Sequence, residues 1–417
     1  MDSKVIKSAL SFLSSSVIVQ MISFFSQIIL MRNLSVDDFG KYSLSFEALS
    51  MCNMVVTSSF RNFYMRQYSL SVDIRNLIMY QLMYGSLWCC ISSIIIGLTF
   101  TLGFKIIVYM TISLIFSSII LPIWVELLLD NKRSRIIFKD ITYSIITFLF
   151  IVIYIKLGYQ EITFLIVSIF IVNAMVSLLF FWNKNLTSCI TNIKIPKGLE
   201  GSIFPFFGVF IVNTIYNKIG VTFLNYTSSI QSVAIYLATF KFITPIYFVQ
   251  TSLISSILPK FKSDKDFIFN FKFFIYFAFP GLLITILLPF ILPFVVDLFG
   301  ITKYSSISHY LTFGSPIIFI SFVYGALSNY ISIRGGQFKI IITNLIAISV
   351  YLFSLIIFHF INYRIDPIET CLSFFVITES FICFMYYILI KKTNIISLMF
   401  LFSPILVILY EFILLLR

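Results

Sequence analysis

The sequence predicts an all-α, polytopic membrane protein of about twelve spans, with a thirteenth apolar run at its end. Three observations carry that reading: the composition, the spacing of the apolar runs, and the distribution of Lys and Arg. Of 417 residues, 59% are hydrophobic and only 11% charged, with 50 Phe and 23 Tyr. A soluble domain carries about 25% charged residues. A mean hydropathy of +1.02 leaves more apolar surface than one soluble core can hide, which excludes a soluble enzyme, a disordered tail and a DNA-binding domain.

A span needs about 20 mainly apolar residues. Runs of that kind cover 9–30, 41–60, 77–100, 106–129, 137–156 and 162–182, then 202–224, 233–258, 273–295, 308–332, 340–361 and 367–390. The first follows Lys4 and Lys7; it is too long for a cleaved signal and no A-x-A site follows it, so it reads as a retained span. The longest gap, with Lys184, Lys194, Pro196, Lys197 and Gly198, separates the twelve spans six and six. The expected organisation is therefore a first half over 1–183, a cytoplasmic linker over 184–201, a second half over 202–392 and an extra apolar segment over 393–417. The run 395–416 either crosses the membrane or lies along it.

Orientation follows from charge. The net charge is +12, and in a membrane protein such a balance reads as an excess of Lys and Arg in cytoplasmic loops rather than as a nucleic-acid surface. With the N-terminus inside, the outer segments hold only Arg32, Lys41, Lys105, Lys156, Lys303 and Arg364. Lys218 and Lys241 lie within spans, Arg417 ends the chain, and the other twenty all fall in inner segments. The six cysteines include no Cys-x-x-Cys pair and read as small apolar residues, neither a disulfide framework nor a metal site.

Soluble-type chemistry is missing. There is no G-x-x-x-x-G-K-(S/T) phosphate loop. His309 and His359 are the only histidines, too few for a multi-histidine metal site. Asp37-Asp38 could be an acid pair for sugar transfer, but the loop is about ten residues long and both acids can simply face water. Gly335-Gly336 reads as a loop or cap. No outer loop is long enough to form a domain. The expectation is a protein that is not an enzyme and needs no cofactor.

The informative residues are polar groups inside spans, where a charge costs at least about 2.5–3.5 kcal/mol and faces a bundle interior or a watery cavity. At 1.5 Å per residue, Lys241 lies about 12 Å into span eight, Glu47 about 9 Å into span two, and Glu379 near the centre of span twelve. Glu126 is near enough to an end to snorkel. Lys241, Thr244, Thr251, Ser252 and Ser255 share a sector of about 100°. Span one carries Ser16, Gln20, Ser23 and Gln27 at i, i+4, i+7, i+11, and span seven has Asn213 and Asn217 beside Lys218. Such stripes also serve helix–helix packing; a lysine among them points to more than packing. The segment from Phe39 to Glu47 aligns without gaps on that from Val233 to Lys241, matching Tyr42 with Tyr236, Phe46 with Phe240 and Glu47 with Lys241. Both open the second span of their half, as parallel repeats would, and the expectation is that Glu47 and Lys241 form or alternate in an ion pair across the seam between halves.

Arg32-Asn-Leu-Ser-Val-Asp-Asp-Phe-Gly-Lys-Tyr resembles the R-x-L-x-x-x-(D/E)-F-G-x-Y stretch after the first helix of polysaccharide exporters. Ser232-Val-Ala-Ile-Tyr-Leu-Ala-Thr-Phe-Lys241, followed by Leu258-Pro259-Lys-Phe, resembles their helix-eight stretch, with Ala234 in place of its glycine. Phe299-Gly300, Tyr304 and Ser308 resemble a third stretch. By order and topology the chain resembles the Wzx-type O-antigen flippases of the MOP (multidrug/oligosaccharidyl-lipid/polysaccharide) exporter superfamily. That resemblance implies a central cavity lined by spans one, two, seven and eight, and movement of an undecaprenyl-diphosphate-linked oligosaccharide to the periplasmic leaflet of the bacterial inner membrane by alternating access. Lys241 stands at the basic position of the family's helix-eight stretch. With it, the residues expected from depth and helical phase to contact substrate are Lys218, Arg61, Gln20, Asn213, Asn217, Thr244 and Ser252. Glu47 or Glu379 is expected to couple or gate transport, the other reading being movement down the substrate gradient. Arg61 reads equally as a positive-inside arginine. Implied partners are the lipid-linked oligosaccharide, the bilayer, a polysaccharide polymerase and a chain-length regulator. Family members often carry an acid in helix seven, where this chain has Asn217-Lys218. Two other readings stay open: a drug or cation exporter of the same superfamily, or an O-antigen polymerase-like membrane enzyme.

Overall fold

The computed structural model describes residues 3–69, 73–130, 134–159, 161–181, 203–263, 278–333, 337–361, 366–390 and 395–415. These residues form thirteen helical rods and no strand, at the positions the apolar runs predict. The first half contains α1 (Ser3–Asn33), α2 (36–69), α3 (Ile74–Thr99), α4 (Phe104–Leu129), α5 (Ser134–Lys156) and α6 (Ile162–Phe181). The rods that follow are α7 (Phe204–Thr227), α8 (Ile230–Ser263), α9 (Phe279–Phe299), α10 (307–333), α11 (Gln337–Ile361), α12 (Pro367–Ile390) and α13 (Ile395–Leu415). Helix is what a lipid-immersed backbone requires, because it satisfies every N–H and C=O within one segment. Among the described residues, eight rods are long and apolar enough to cross a membrane by themselves. The expected linker 184–201 and the Gly335-Gly336 pair lie outside the described residues.

Local sequence sets the joints. Ser35 caps α2: its hydroxyl accepts from Asp38 N (3.1 Å) and donates to Asp38 Oδ2 (2.7 Å), an N-cap held by a side-chain pair. Asp37 and Asp38 thus occupy the first turn of α2, where carboxylates complement the helix dipole. The acids serve the helix start. Gly300 ends α9 in the left-handed conformation, φ 63°, which glycine adopts without a Cβ penalty. Two rods are interrupted by π turns, Asn53–Thr57 in α2 and Gln81–Gly85 in α3. The second brings Gln81 Oε1 within 2.6 Å of the Tyr64 hydroxyl that donates to it.

The chain divides into two compact units, Met1–Thr214 and Ile215–Arg417. In unit 1, α6 packs on α2, α4 and α5, while α1 packs on α5 and α3 on α4. An apolar cluster of Ile78, Met79, Ile119, Ile120, Ile123, Leu127 and Ile136 ties α3, α4 and the start of α5 together. In unit 2, α12 takes the place of α6 and packs on α8, α10 and α11, and additionally on α13. With 21 residues, α13 is about 30 Å long. It runs back alongside α12 rather than lying across the unit, bringing Glu411 opposite Ser373. Cys52, Cys89, Cys371 and Cys383 are buried and free.

Candidate functional site

In unit 1 the polar residues converge on one helix. Along α2 a groove of about 370 Å³ is lined by Phe46, Leu49, Ser50, Asn53, Met54, Thr57 and Ser58. The Thr57 hydroxyl donates to Asn53 Oδ1 at 3.1 Å. Glu47, half-buried, is one residue from the groove, and Arg61 follows one turn later. The Arg61 guanidinium lies 5.9 Å from the Trp124 ring centroid, a cation–π distance, and its buried Nε has no hydrogen-bond partner among the described residues. Arg61 is thus braced by α4 instead of hanging free at the end of its span. Gln20 on α1 is half-buried; the Ser16 side chain lies outside the described residues.

Unit 2 places its charged residues around an aromatic hub. Phe375 of α12 meets the rings of Tyr216 on α7, Phe240 on α8 and Tyr351 on α11, with centroids 5.8, 5.9 and 5.9 Å away. Lys241, half-buried, is the residue after Phe240. Glu379, only 7% exposed, is one turn beyond Phe375. Its Oε2 has no hydrogen-bond partner among the described residues, and the Tyr216 hydroxyl lies beside its carboxyl. Along their own helices, Lys241 thus adjoins one ring of this aromatic contact and Glu379 follows the other by one turn. Behind the hub, the Tyr351 hydroxyl donates to Cys371 O at 2.9 Å. Gly220 lets α7 approach, since a Cβ there would meet the Tyr236 hydroxyl and lie 2.8 Å from that of Tyr351.

The other expected residues are more scattered. Asn213 and Lys218 are half-buried and Asn217 is exposed. Thr244 is exposed and its hydroxyl donates to Phe240 O at 2.7 Å, so it offers a ligand an acceptor. The Ser252, Thr251 and Ser255 side chains lie outside the described residues. His309, unassigned from sequence, lies 2.7 Å from Glu369 Oε1; beside it the Tyr310 hydroxyl donates to Asp366 at 2.5 Å. These contacts join the starts of α10 and α12.

Two features escaped the sequence reading. The stripe Ser50, Asn53, Thr57, Arg61 has helical spacing and could have been found by the count applied to span one. So could Glu411, a charge inside the apolar run 395–416: it is fully buried on α13 beside Ser373, and neither carboxyl oxygen has a hydrogen-bond partner among the described residues.

No protein-family profile and no curated protein sequence matches the chain. The fold has solved counterparts. A structure of the lipid II flippase MurJ in an inward closed conformation matches with TM-score 0.62 and 14% identity, over 96% of this chain and 98% of that one. The chain shares the all-α membrane fold of that structure. A multidrug resistance MATE family transporter of the MOP superfamily, in an inward-facing conformation, matches with TM-score 0.63 and 10% identity, over 95% and 94% of the two chains. This shared fold is the all-α, multi-pass architecture; the substrate must be argued from side chains.

Proposed function

We propose that this protein is a flippase for an undecaprenyl-diphosphate-linked oligosaccharide, working by alternating access in the bacterial inner membrane with its N-terminus in the cytoplasm. The observation that carries the reading is the pair of half-buried lysines, Lys218 on α7 and Lys241 on α8, in a chain of MOP fold. A diphosphate and its sugars must cross about 30 Å of hydrocarbon, while the polyprenyl tail stays in lipid. Lysines and Arg61 replace water around the diphosphate by charge-assisted hydrogen bonds. Gln20, Asn213, Asn217, Thr244 and Ser252 supply neutral contacts to sugar hydroxyls. Glu47 and Glu379 are the coupling or gating acids. A polymerase and a chain-length regulator would act on the delivered unit.

The test is deletion of the gene in its native host, with surface polysaccharide and membrane-held lipid-linked units read side by side. The expected result is loss of surface polymer with intact units accumulating on the cytoplasmic leaflet. Single units still reaching the surface would identify a polymerase instead. Unchanged polysaccharide would overturn the flippase, and a changed drug susceptibility would then favour the exporter that the buried Glu379 also suits.

A further inference from the structure

The groove along α2 combines three features that the role of the lysines does not explain. Its lining joins apolar Phe46, Leu49 and Met54 with polar Ser50, Asn53, Thr57 and Ser58; it is open along α2; and the π turn Asn53–Thr57 contributes three of the lining residues. In an unbroken α-helix, with 100° per residue, Ser58 would stand about 120° from Phe46. A π turn closes i→i+5 and is frequent at functional sites. It holds one residue more than an α turn, so everything after it rotates back by about one residue, and Ser58 joins the face of Phe46, Ser50 and Asn53. The amide of Asn53 is oriented as well: Oδ1 takes the Thr57 hydroxyl proton, leaving Nδ2 as the end that can donate to a ligand. A lining that mixes apolar side chains with several neutral hydrogen-bonding groups suits a ring that has a C–H face and hydroxyl edges. It does not suit a bare phosphate, which calls for cations. The volume of about 370 Å³ is at the small end of ligand sites.

We propose that this groove is the glycan subsite: it holds one or two sugar rings of the lipid-linked oligosaccharide against Phe46, with Asn53, Ser50 and Ser58 bonding the hydroxyls, while Arg61 one turn further meets the diphosphate. The proposal rests on the flippase reading and deepens it. It makes α2 a reader of sugars and leaves charge recognition to Arg61 and the lysines.

The experiment uses the full-length protein in lipid nanodiscs and two probes: undecaprenyl diphosphate without sugar, and the undecaprenyl-diphosphate-linked oligosaccharide extracted from the deletion strain. Wild type should bind the sugar-bearing lipid more tightly than the bare one. Asn53→Ala should weaken the sugar-bearing lipid by about fivefold, the scale of one neutral hydrogen bond, and leave the bare lipid unchanged. Arg61→Gln should weaken both. A shortened π turn, with Val55 deleted, should abolish the sugar preference; if that variant does not fold, Phe46→Leu, which keeps an apolar side chain but removes the flat ring, should reduce it. Equal loss for both probes in Asn53→Ala, or no loss in either Asn53→Ala or Phe46→Leu, would overturn the glycan subsite while leaving the flippase standing. Failure of wild type to bind either lipid would overturn both.

Discussion

The second helices of the two units begin alike and end differently. In unit 1, the Tyr42 and Phe46 rings stand 4.5 Å apart and Phe46 meets Phe170 of α6 at 5.3 Å. In unit 2, Tyr236 and Phe240 stand 5.0 Å apart and Phe240 meets Phe375 of α12 at 5.9 Å. Phe170 and Phe375 each lie eight residues into their helices, so the same three-ring scaffold is built twice. Beyond it the units diverge. Glu47 follows the scaffold in one and Lys241 in the other; α2 breaks into a π turn whereas α8 continues as a 34-residue α-helix. Glu379 has Ala174 at the matching position of α6, and α13 has no counterpart among the described residues of unit 1. The scaffold is symmetric and the chemistry is not, as expected where packing demands repeat but a polar substrate needs different groups at each point.

The comparison can be broken most sharply at the hubs. Phe375 touches three rings and Phe170 one of the described ones, so Phe375→Ala should cost about 4 kcal/mol and Phe170→Ala about 3 kcal/mol, read as thermal unfolding in nanodiscs. Equal losses would remove the special status of α12. The charges come next. Lys241→Glu or Glu47→Lys should each lower surface polysaccharide by about a hundredfold, on the scale of an uncompensated charge in a span. The double reversal should recover more than the worse single variant does; if it recovers nothing, the two residues do not act as a pair.

A smaller effect concerns helix approach. Gly220→Ala puts a Cβ against two tyrosine hydroxyls and should destabilise unit 2 by about 2 kcal/mol, with part restored by adding Tyr236→Phe. The smallest effect belongs to the helix that unit 1 lacks. Glu411 leaves both oxygens unsatisfied in a buried setting, so Glu411→Leu should be neutral or stabilising by up to about 1 kcal/mol, because the change removes a polar group that has no partner to lose. Strong destabilisation would mean that the carboxyl holds α13 in place.

How much of this was legible varies by feature. The helices were, because a bilayer imposes about 20 apolar residues on every span and the count needs no neighbour. The aromatic repeat was legible as matching Tyr42–Tyr236 and Phe46–Phe240, although the ring partners on α6 and α12 were not. Glu379 and Lys241 were each conspicuous for their depth. Their shared hub was hidden, since Phe375 is one of 50 Phe and nothing local marks it. The Asp37-Asp38 pair was ambiguous until Ser35 was seen to cap the helix with Asp38.

The sequence by itself determined the all-α membrane architecture, the number and place of the rods, and the twofold repetition of the Tyr–Phe stretch. Each of these follows from hydrophobic length or from residue order along one chain. Only the tertiary structure decided where the π turns fall, which rings meet Phe375, that Arg61 lies over Trp124, and that Glu411 turns inward toward Ser373. Those depend on how side chains distant in sequence fill one another's space, and in a bundle where almost every face is apolar, hydropathy cannot say which face turns inward.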